Sequence, residues 1–372
     1  MFISCREQDN NIYQAKFLNT HDLEYIETIK FQIDSNTSYT NYSNFYDKLN
    51  NEFSFTNSFD NSIVVLDFNN SNVKKIHFDI SGPRAISIEE STSHAKFNND
   101  FYFFEEFKYR LSKVDNEGNI LYKLDLRDYK NTYEPFQSLM FSKDYRPINF
   151  NNKLYFSNIF KNFRGNGYSN PVVALELDSK KFSNLGEFPH AYKKNYYGSF
   201  YALTSYITYN KKKNKFVLSY PKVSDIQLYN SNFEMIKTIN SPILEFDEIA
   251  PFSDDEDMYY KKIPSDEWKK VENKTIRYQD IYEKIYFDDV NNIYYRLGLD
   301  MPTEESGSIG PLRIIVQILN ENFDQIALKI YDADNFDYRS IFVNDGEFYI
   351  ANLNKMKDDN YIYFDKFKIY PK

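Results

Sequence analysis

The sequence predicts an all-β protein, a six-bladed β-propeller with four-stranded antiparallel blades. Aromatic residues form 19% of the 372 residues, with 34 Tyr and 34 Phe, and these residues favour the half-buried, pleated surface of a sheet. Hairpins joined by short Asn- and Asp-rich turns recur along the whole chain. Hairpin pairs repeated in units of about 40 to 50 residues are typical of propeller blades.

Each unit begins with an inner hairpin whose turn is rich in Asn, Asp, Lys or Gly. Asn, Asp and Gly tolerate the positive φ that tight hairpin turns require. Aromatic-rich strands follow most of these turns. The six turns span residues 47–51, 97–100, 150–153, 209–215, 287–292 and 343–346.

An outer hairpin follows the inner one in five units, at residues 63–78, 111–126, 172–188, 225–239 and 316–330. The sixth unit ends after a third strand, near residues 361–370, and therefore lacks an outer strand. The segment 23–33 reads as an unpaired strand, so we expect it to pair with 361–370 and complete the last blade. Closure of this kind removes two exposed sheet edges. A pair of β-sandwiches and a β-helix are the alternatives, and the regular hairpin pairs favour the propeller.

The N-terminus resembles the end of a bacterial lipoprotein signal. Residues 1–5 read MFISC, in which apolar residues are followed by a small residue and Cys5, although the charged and apolar regions of a full signal are missing. We expect Cys5 to be lipidated, residues 1–11 to form a signal remnant and tether, and residues 12–372 to form the propeller. The alternative is a free thiol near a frayed end. No stretch reaches the roughly 18 apolar residues of a spanning helix, so a lipid is the expected route to a membrane.

The sequence predicts no catalytic residue, no metal site and no cofactor. It lacks zinc, nucleophile-elbow and phosphate-loop motifs. The acidic run 254–257 could bind calcium, and a solvated loop is the simpler interpretation. A net charge of −9 argues against a nucleic-acid partner, whose phosphates need a basic surface. The four histidines are His21, His77, His94 and His190.

The long connections all fall on one end of the predicted ring. In a four-stranded blade, the A–B and C–D turns lie at one end and the B–C and D–A connections at the other. The long connections, at 79–93, 128–145, 161–170, 189–205, 241–280 and 300–311, are all of the second kind. Loops on one side of a rigid scaffold commonly carry binding, and aromatic and Arg side chains dominate interfaces. The candidate binding residues are Arg146, Arg164, Tyr168 and Trp268.

The same connections carry Tyr192 and Tyr197. Trp268 belongs to a segment, 265–284, whose charge spacing predicts a short helical insertion. There it would serve either as the packing anchor of the insertion or as an exposed stacking surface.

Three features resemble a known family. They are Ser4-Cys5, the repeated hairpin pairs, and the run Ser81-Gly82-Pro83-Arg84 after the first outer hairpin. Together they resemble the six-bladed propeller lipoproteins of Bacteroidetes-type bacteria, of the DUF4221 type. The resemblance implies the fold and a lipid-anchored place in the cell envelope, on the periplasmic or outer-membrane surface. It implies no activity.

Two functions remain open from the sequence. The first is a monomeric, non-catalytic binding module for a protein, peptide or glycan. The second is a propeller enzyme, a glycan lyase or hydrolase. An enzyme would place matched acidic or His side chains near the ring axis.

Overall fold

The computed structural model describes residues 12–39, 43–82, 85–88, 92–105, 108–126, 147–159, 169–195, 197, 200–247, 249–251, 279–301, 312–357 and 360–372. Twenty-five strands are present in these ranges, and they form six sheets. The prediction of a six-bladed propeller is confirmed. The only α-helix in the described ranges is α1 (His190–Lys194).

The chain starts with β1 (Ile12–Gln14) and β2 (His21–Gln32) and then builds the blades in order. Blade 1 contains β3 (Asn44–Asp47), β4 (Glu52–Asn57), β5 (Ser62–Asp67) and β6 (Asn72–His77). Blade 2 contains β7 (Thr92–Phe97), β8 (Asp100–Glu105), β9 (Arg110–Val114) and β10 (Ile120–Asp125). Blade 3 contains β11 (Ile148–Phe150), β12 (Lys153–Ser157), β13 (Val172–Glu176) and β14 (Phe182–Leu185).

Blade 4 contains β15 (Tyr206–Asn210), β16 (Lys215–Tyr220), β17 (Val223–Asn230) and β18 (Met235–Asn240). Blade 5 contains β19 (Ile281–Asp288), β20 (Ile293–Asp300), β21 (Arg313–Leu319) and β22 (Gln325–Asp332). Blade 6 contains β23 (Phe336–Asn344), β24 (Glu347–Asn352) and β25 (Tyr361–Pro371), with β2 as its fourth strand. The predicted helical insertion 265–284 is wrong at its end, because residues 281–284 belong to β19, and residues 252–278 lie outside the described part.

The inner hairpin turns use the predicted backbone chemistry. The residue just before the second strand of each blade has a positive φ, which Asn and Gly adopt at little cost. The residues are Asn51 (55°), Asn99 (68°), Asn152 (58°), Asn214 (52°), Asn292 (58°) and Gly346 (80°).

The ring closes as predicted, through an antiparallel ladder between β2 and β25. The register runs from His21 opposite Pro371 to Gln32 opposite Tyr361. Phe31 of β2 is fully buried in the core shared by blades 6 and 1. The main-chain amide of Lys372 also donates to the carbonyl oxygen of Thr20 at 2.9 Å. The second strand and the last strand of the chain therefore lie side by side in one sheet.

The segment before β2 forms a strap across two further blades, which the sequence did not reveal. β1 adds to blade 4 as a fifth strand, parallel to β18. Phe17 then forms a bridge with Gln325 of blade 5. Asp324 Oδ1 anchors the strap by accepting from the Tyr13 hydroxyl at 2.7 Å and from the Lys16 amide at 2.8 Å. The N-terminal chain thus touches blades 4, 5 and 6 in turn.

Aromatic rings fill the seams between blades. Such ring pairs stabilise a core beyond their burial alone, by about 0.5–1.5 kcal/mol each. Ring-centre distances at five seams are 5.4 Å for Phe45–Phe97, 5.3 Å for Phe104–Phe156, 4.8 Å for Tyr155–Phe216, 5.2 Å for Tyr295–Phe348 and 3.9 Å for Tyr46–Phe342. Much of the high aromatic content is therefore structural. The seam between blades 4 and 5 contains an apolar cluster and, in addition, a buried arginine.

Candidate binding site

A cavity lies on the propeller axis, where the first strands of the blades meet. It has a volume of about 400 Å³ and receives side chains from all six of those strands. The strands contact one another around the ring, for example β3 with β7 and β15 with β19. One lining residue from each strand, in blade order, is Tyr46, Phe97, Ile148, Thr208, Tyr286 and Val343.

The charges nearest this cavity are engaged in ion pairs. Lys96 of β7 is 4% exposed and lies 3.7 Å from Asp47 Oδ2 of β3. It also bonds to Glu52 Oε2 of β4. This lysine therefore links blades 1 and 2, and its positive charge is neutralised by two carboxylates. A lysine paired in this way supports the wall of the cavity.

An ionic bridge joins the A–B turns of three blades at the short-turn end of the axis. Asp289, in the turn of blade 5, bonds to Lys48 of blade 1 and lies 2.6 Å from Lys211 Nζ of blade 4. Burial acts to raise the pKa of Asp289, but hydrogen bonds from Lys211 and Lys48 outweigh it and hold that pKa below its usual value. The bridge therefore links blades 1, 4 and 5 at the short-turn end of the ring.

A second cavity, the seam pocket, lies between blades 4 and 5 at the long-connection end. Its volume is about 360 Å³. The wall is formed by the B–C turn of blade 4, the chain after β18 and the start of β19. Its lining includes Lys222, Asp225, Asn240, Phe246, Asp247 and Tyr282.

Arg296 holds one wall of the seam pocket in place. It projects from β20, is completely buried, and donates from Nε to Ser219 Oγ at 2.9 Å. Nη1 donates to the carbonyl oxygens of Ser224 and Ser241, each at 2.9 Å. Its guanidinium carbon lies 3.9 Å from the ring centre of Tyr282. Burial lowers the pKa of Arg296 to about 10, which leaves the group cationic at neutral pH.

Two more ionisable groups of this seam have shifted pKa values. Burial lowers the pKa of Lys222 to about 8, although the nearby Asp280 charge opposes this shift. Burial raises the pKa of Asp280 to about 6, although its carboxylate accepts from the Asp247 amide at 2.7 Å and the Met301 amide at 2.9 Å. Buried groups shifted toward neutral pH are a feature of functional sites.

The candidate binding residues Arg146, Arg164, Tyr168 and Trp268 all lie outside the described residues, as does Cys5. The structure describes residues on both sides of their loops and so fixes the end of the ring from which the loops emerge. The acidic run 254–257 also lies outside the described part.

Two other loop aromatics are placed differently from the sequence interpretation. Tyr192 is 2% exposed and Tyr197 is 4% exposed, and both pack into the core of blades 3 and 4. They are therefore not available on the surface. Of the histidines, His190 is exposed at the start of α1, whereas His94 is buried between Ser43 and Ser54, at 2.9 and 2.8 Å.

Sequence reasoning missed the seam pocket. Arg296 carried a signal, since it interrupts the apolar run 293–299. Lys222 carried none, because a lysine in a turn is normally solvated. Among the described residues, no cluster of three or more His, Cys, Asp or Glu side chains could hold a metal ion. Nor does any helix within these ranges have the length and apolar character to span a membrane.

The fold and these cavities define a six-bladed β-propeller with a ligand-sized axial cavity. The family model for the domain of unknown function DUF4221 matches residues 8–327. The chain belongs to the DUF4221 family, as its sequence features suggested.

Two solved structures have the same architecture. A DUF4221 member from Bacteroides vulgatus is 18% identical, with a TM-score of 0.76 over 95% of this chain and 99% of that one. A protein from Bacteroides fragilis whose description proposes export is 12% identical, with a TM-score of 0.55 over 97% of this chain and 99% of that one. At these identities the likeness concerns the fold alone. No curated protein matches the chain significantly.

Proposed function

We propose that the chain is a lipid-anchored, extracytoplasmic propeller that acts as a non-catalytic binding module for a protein, peptide or glycan. Residues 1–11 form the tether and residues 12–372 the propeller. The binding surface is the long-connection end, where Arg146, Arg164, Tyr168 and Trp268 contribute side chains. The partner is not a nucleic acid, and the propeller acts as a monomer.

The asymmetry between the two ends of the ring carries this proposal. The A–B connection of blade 2 contains only residues 98–99, whereas the connection between blades 4 and 5 spans residues 241–280. Lengthening a surface loop costs little, about 0.6 kcal/mol per doubling, so drift alone would lengthen both ends. Because the loops are long at one end of the ring only, selection for recognition at that end is the favoured explanation.

Two observations support the extracytoplasmic site. The Bacteroides fragilis relative is described as a candidate for export, and residues 1–5 resemble the end of a lipoprotein signal. The anchor is tested by metabolic labelling of the full-length precursor with a fatty-acid analogue. We expect label on the wild type and none on Cys5→Ser. Label retained by Cys5→Ser would contradict the anchor.

The binding surface is tested by affinity capture from the native cell envelope, followed by titration of the captured partner. Arg146→Ala, Arg164→Ala, Tyr168→Ala and Trp268→Ala should each weaken binding while the fold is retained. Lys212→Ala is the matched control, because Lys212 is exposed on the short-turn end. Equal binding by both sets, or loss only in Lys212→Ala, would refute the proposed surface.

A propeller enzyme, a glycan lyase or hydrolase, is the second candidate. It is favoured by Lys222 and Asp280, whose pKa values of about 8 and about 6 bracket neutral pH. Against it, both carboxylate oxygens of Asp280 already accept main-chain amides. Cleavage of any polysaccharide in a broad panel, lost in Lys222→Met, would establish the enzyme and overturn the binding module.

A further inference from the structure

The seam pocket contains a buried cation that forms no ion pair within 4.0 Å in the described structure. Lys222 is 2% exposed, and its ammonium donates to the main-chain oxygen of Asp280 at 3.2 Å. Within the described ranges, no carboxylate oxygen lies within 4.0 Å of this ammonium. An ammonium has three donors, and burial without a countercharge is costly. The position therefore favours a ligand that brings an anionic group.

Asp280 does not supply that group. Oδ2 accepts from the Asp247 amide at 2.7 Å, and Oδ1 accepts from the Met301 amide at 2.9 Å. The hydrogen bond from the Lys222 ammonium goes to the main-chain oxygen of Asp280. The Asp280 carboxylate ties together the chain before β19 and the chain after β20.

The lining of the same pocket also contains negative charge. Asp225 and Asp247 both line it, and Asn240 Nδ2 donates to Asp225 Oδ1 at 3.2 Å. Two carboxylates would repel a ligand that carried only negative charge, and Lys222 would repel one that carried only positive charge. A ligand with both charges complements both parts of the lining.

Apolar side chains also line the pocket, and hydrogen bonds hold the main chain behind them. Phe246 and Tyr282 line it, with ring centres 4.9 Å apart, and Ile243 adds an aliphatic side chain. Arg296 fixes the main chain behind this wall through the carbonyl oxygens of Ser224 and Ser241. A wall held by buried hydrogen bonds lowers the ordering cost of binding. The volume of about 360 Å³ lies within the usual range for small ligands, about 300–1,000 Å³.

The geometry points to the seam pocket as a binding site for a small zwitterion of the α-amino acid class, with its carboxylate at Lys222 and its ammonium at Asp225 and Asp247. Phe246 and Tyr282 contact the ligand side chain. The residues that define this site are not among those proposed for the macromolecular partner. The amino-acid titration and the affinity capture of a partner from the cell envelope therefore succeed or fail independently.

The first test uses the purified full-length chain and each of the twenty free amino acids as probes in isothermal titration calorimetry. We expect an amino acid with an apolar side chain, such as leucine or phenylalanine, to bind. The matched analogues of leucine, 4-methylpentanoate and 3-methylbutylamine, each lack one charge and should bind at least about tenfold more weakly. Absence of binding by all twenty, or equal binding of an analogue, overturns the proposal.

Variants then locate the site. Lys222→Met keeps the length of the side chain and removes its charge, so amino-acid binding should weaken about 10- to 100-fold. Asp225→Asn should weaken binding of the amino acid but not binding of 4-methylpentanoate, since only the amino acid carries an ammonium group. Lys212→Met is the matched lysine control and should bind like wild type. If Lys222→Met fails to fold, the comparison of Asp225→Asn with the two analogues still decides the proposal, and unchanged amino-acid binding in Asp225→Asn refutes it.

Discussion

The guanidinium carbon of Arg296 lies 3.9 Å from the ring centre of Tyr282, and both side chains are buried in the seam between blades 4 and 5. Besides its contact with the Tyr282 ring, the guanidinium donates hydrogen bonds to the hydroxyl of Ser219. It also donates to the main-chain oxygens of Val223, Ser224 and Ser241. Five other seams contain ring pairs, and in this seam a cation that bonds to the backbone of the adjacent blade accompanies an apolar cluster.

Replacing this arginine should therefore destabilise the protein strongly. Arg296→Met leaves several buried acceptors without donors, and we expect the free energy of unfolding to fall by about 3–5 kcal/mol. Urea denaturation followed by circular dichroism measures it. Arg313→Met is the control, because Arg313 is 48% exposed and pairs only with Asp300, and such pairs contribute about 0–1 kcal/mol. Similar losses in the two variants would show that the buried bonds add little.

The sequence predicted the blades because the turn chemistry is local. Asn99 stands just before β8 with φ 68°, and this preference is a property of the residue type. Ring closure was predictable as well, because the strand at 361–370 lacked a partner and the strand at 23–33 was unpaired. The strap was not predictable, since β1 has only three residues and its parallel pairing with β18 leaves no periodic pattern.

The candidate sites were much harder to predict from sequence. The partners of Arg296 are mostly main-chain oxygens, which carry no sequence signal. Tyr192 and Tyr197 were predicted to be loop aromatics near a binding surface, but both rings pack into the core shared by blades 3 and 4. Whether a loop residue is buried depends on how its loop folds back, and composition does not determine that.

Ring closure makes a second prediction, about stability. Phe31 of β2 is completely buried, so Phe31→Ala should lower the free energy of unfolding by about 3–5 kcal/mol. Phe17→Ala removes the same side chain from a position that is 41% exposed and should cost less than half as much. Truncation before residue 34 should lower the melting temperature far more than truncation before residue 12. An unchanged melting temperature in the longer truncation would show that β2 does not stabilise the ring.

The buried carboxyl of Asp280 makes stability depend on pH. Burial raises its pKa from 3.8 to about 6, so the fold favours the protonated form. The contribution of the Asp280 carboxyl to the free energy of unfolding is fully present below about pH 3.8 and is lost as pH rises through about 6. This loss lowers the free energy of unfolding by about 2–3 kcal/mol. The low pKa of Lys222, about 8, acts the opposite way: its contribution is present above pH 10.5 and is lost as pH falls through 8.

Asp280→Asn removes the titrating carboxyl, so comparison of the variant with wild type isolates its effect on stability. The difference in unfolding free energy between wild type and Asp280→Asn, measured in urea at pH 4 and pH 7, should shift by about 2–3 kcal/mol in favour of the variant at the higher pH. Asp334→Asn changes an exposed carboxyl and serves as the control, with little expected shift. A pH-independent difference for Asp280→Asn would mean that the carboxyl titrates alike in the folded and unfolded chains.

The strap makes the last prediction, about local opening. Asp324 Oδ1 accepts from the Tyr13 hydroxyl at 2.7 Å and from the Lys16 amide at 2.8 Å, and bonds to a carboxylate are worth about 1.5–3 kcal/mol each. Asp324→Ala should therefore speed amide hydrogen exchange in residues 12–18 by roughly 10- to 100-fold, while β25 keeps wild-type rates. Asp332→Ala is the matched control, because Asp332 accepts from the Asp334 amide at 2.9 Å, within its own turn and away from the strap. Burial acts to raise the pKa of Asp324, but hydrogen bonds from Lys16 and Tyr13 bring that pKa below 3.8. The contribution of the Asp324 carboxylate to stability is therefore present above pH 3.8 and is lost only as pH falls through the lowered pKa. Exchange at pH 7 thus probes the intact anchor, and equal rates in wild type and Asp324→Ala would show that main-chain pairing alone holds the strap against blades 4 and 5.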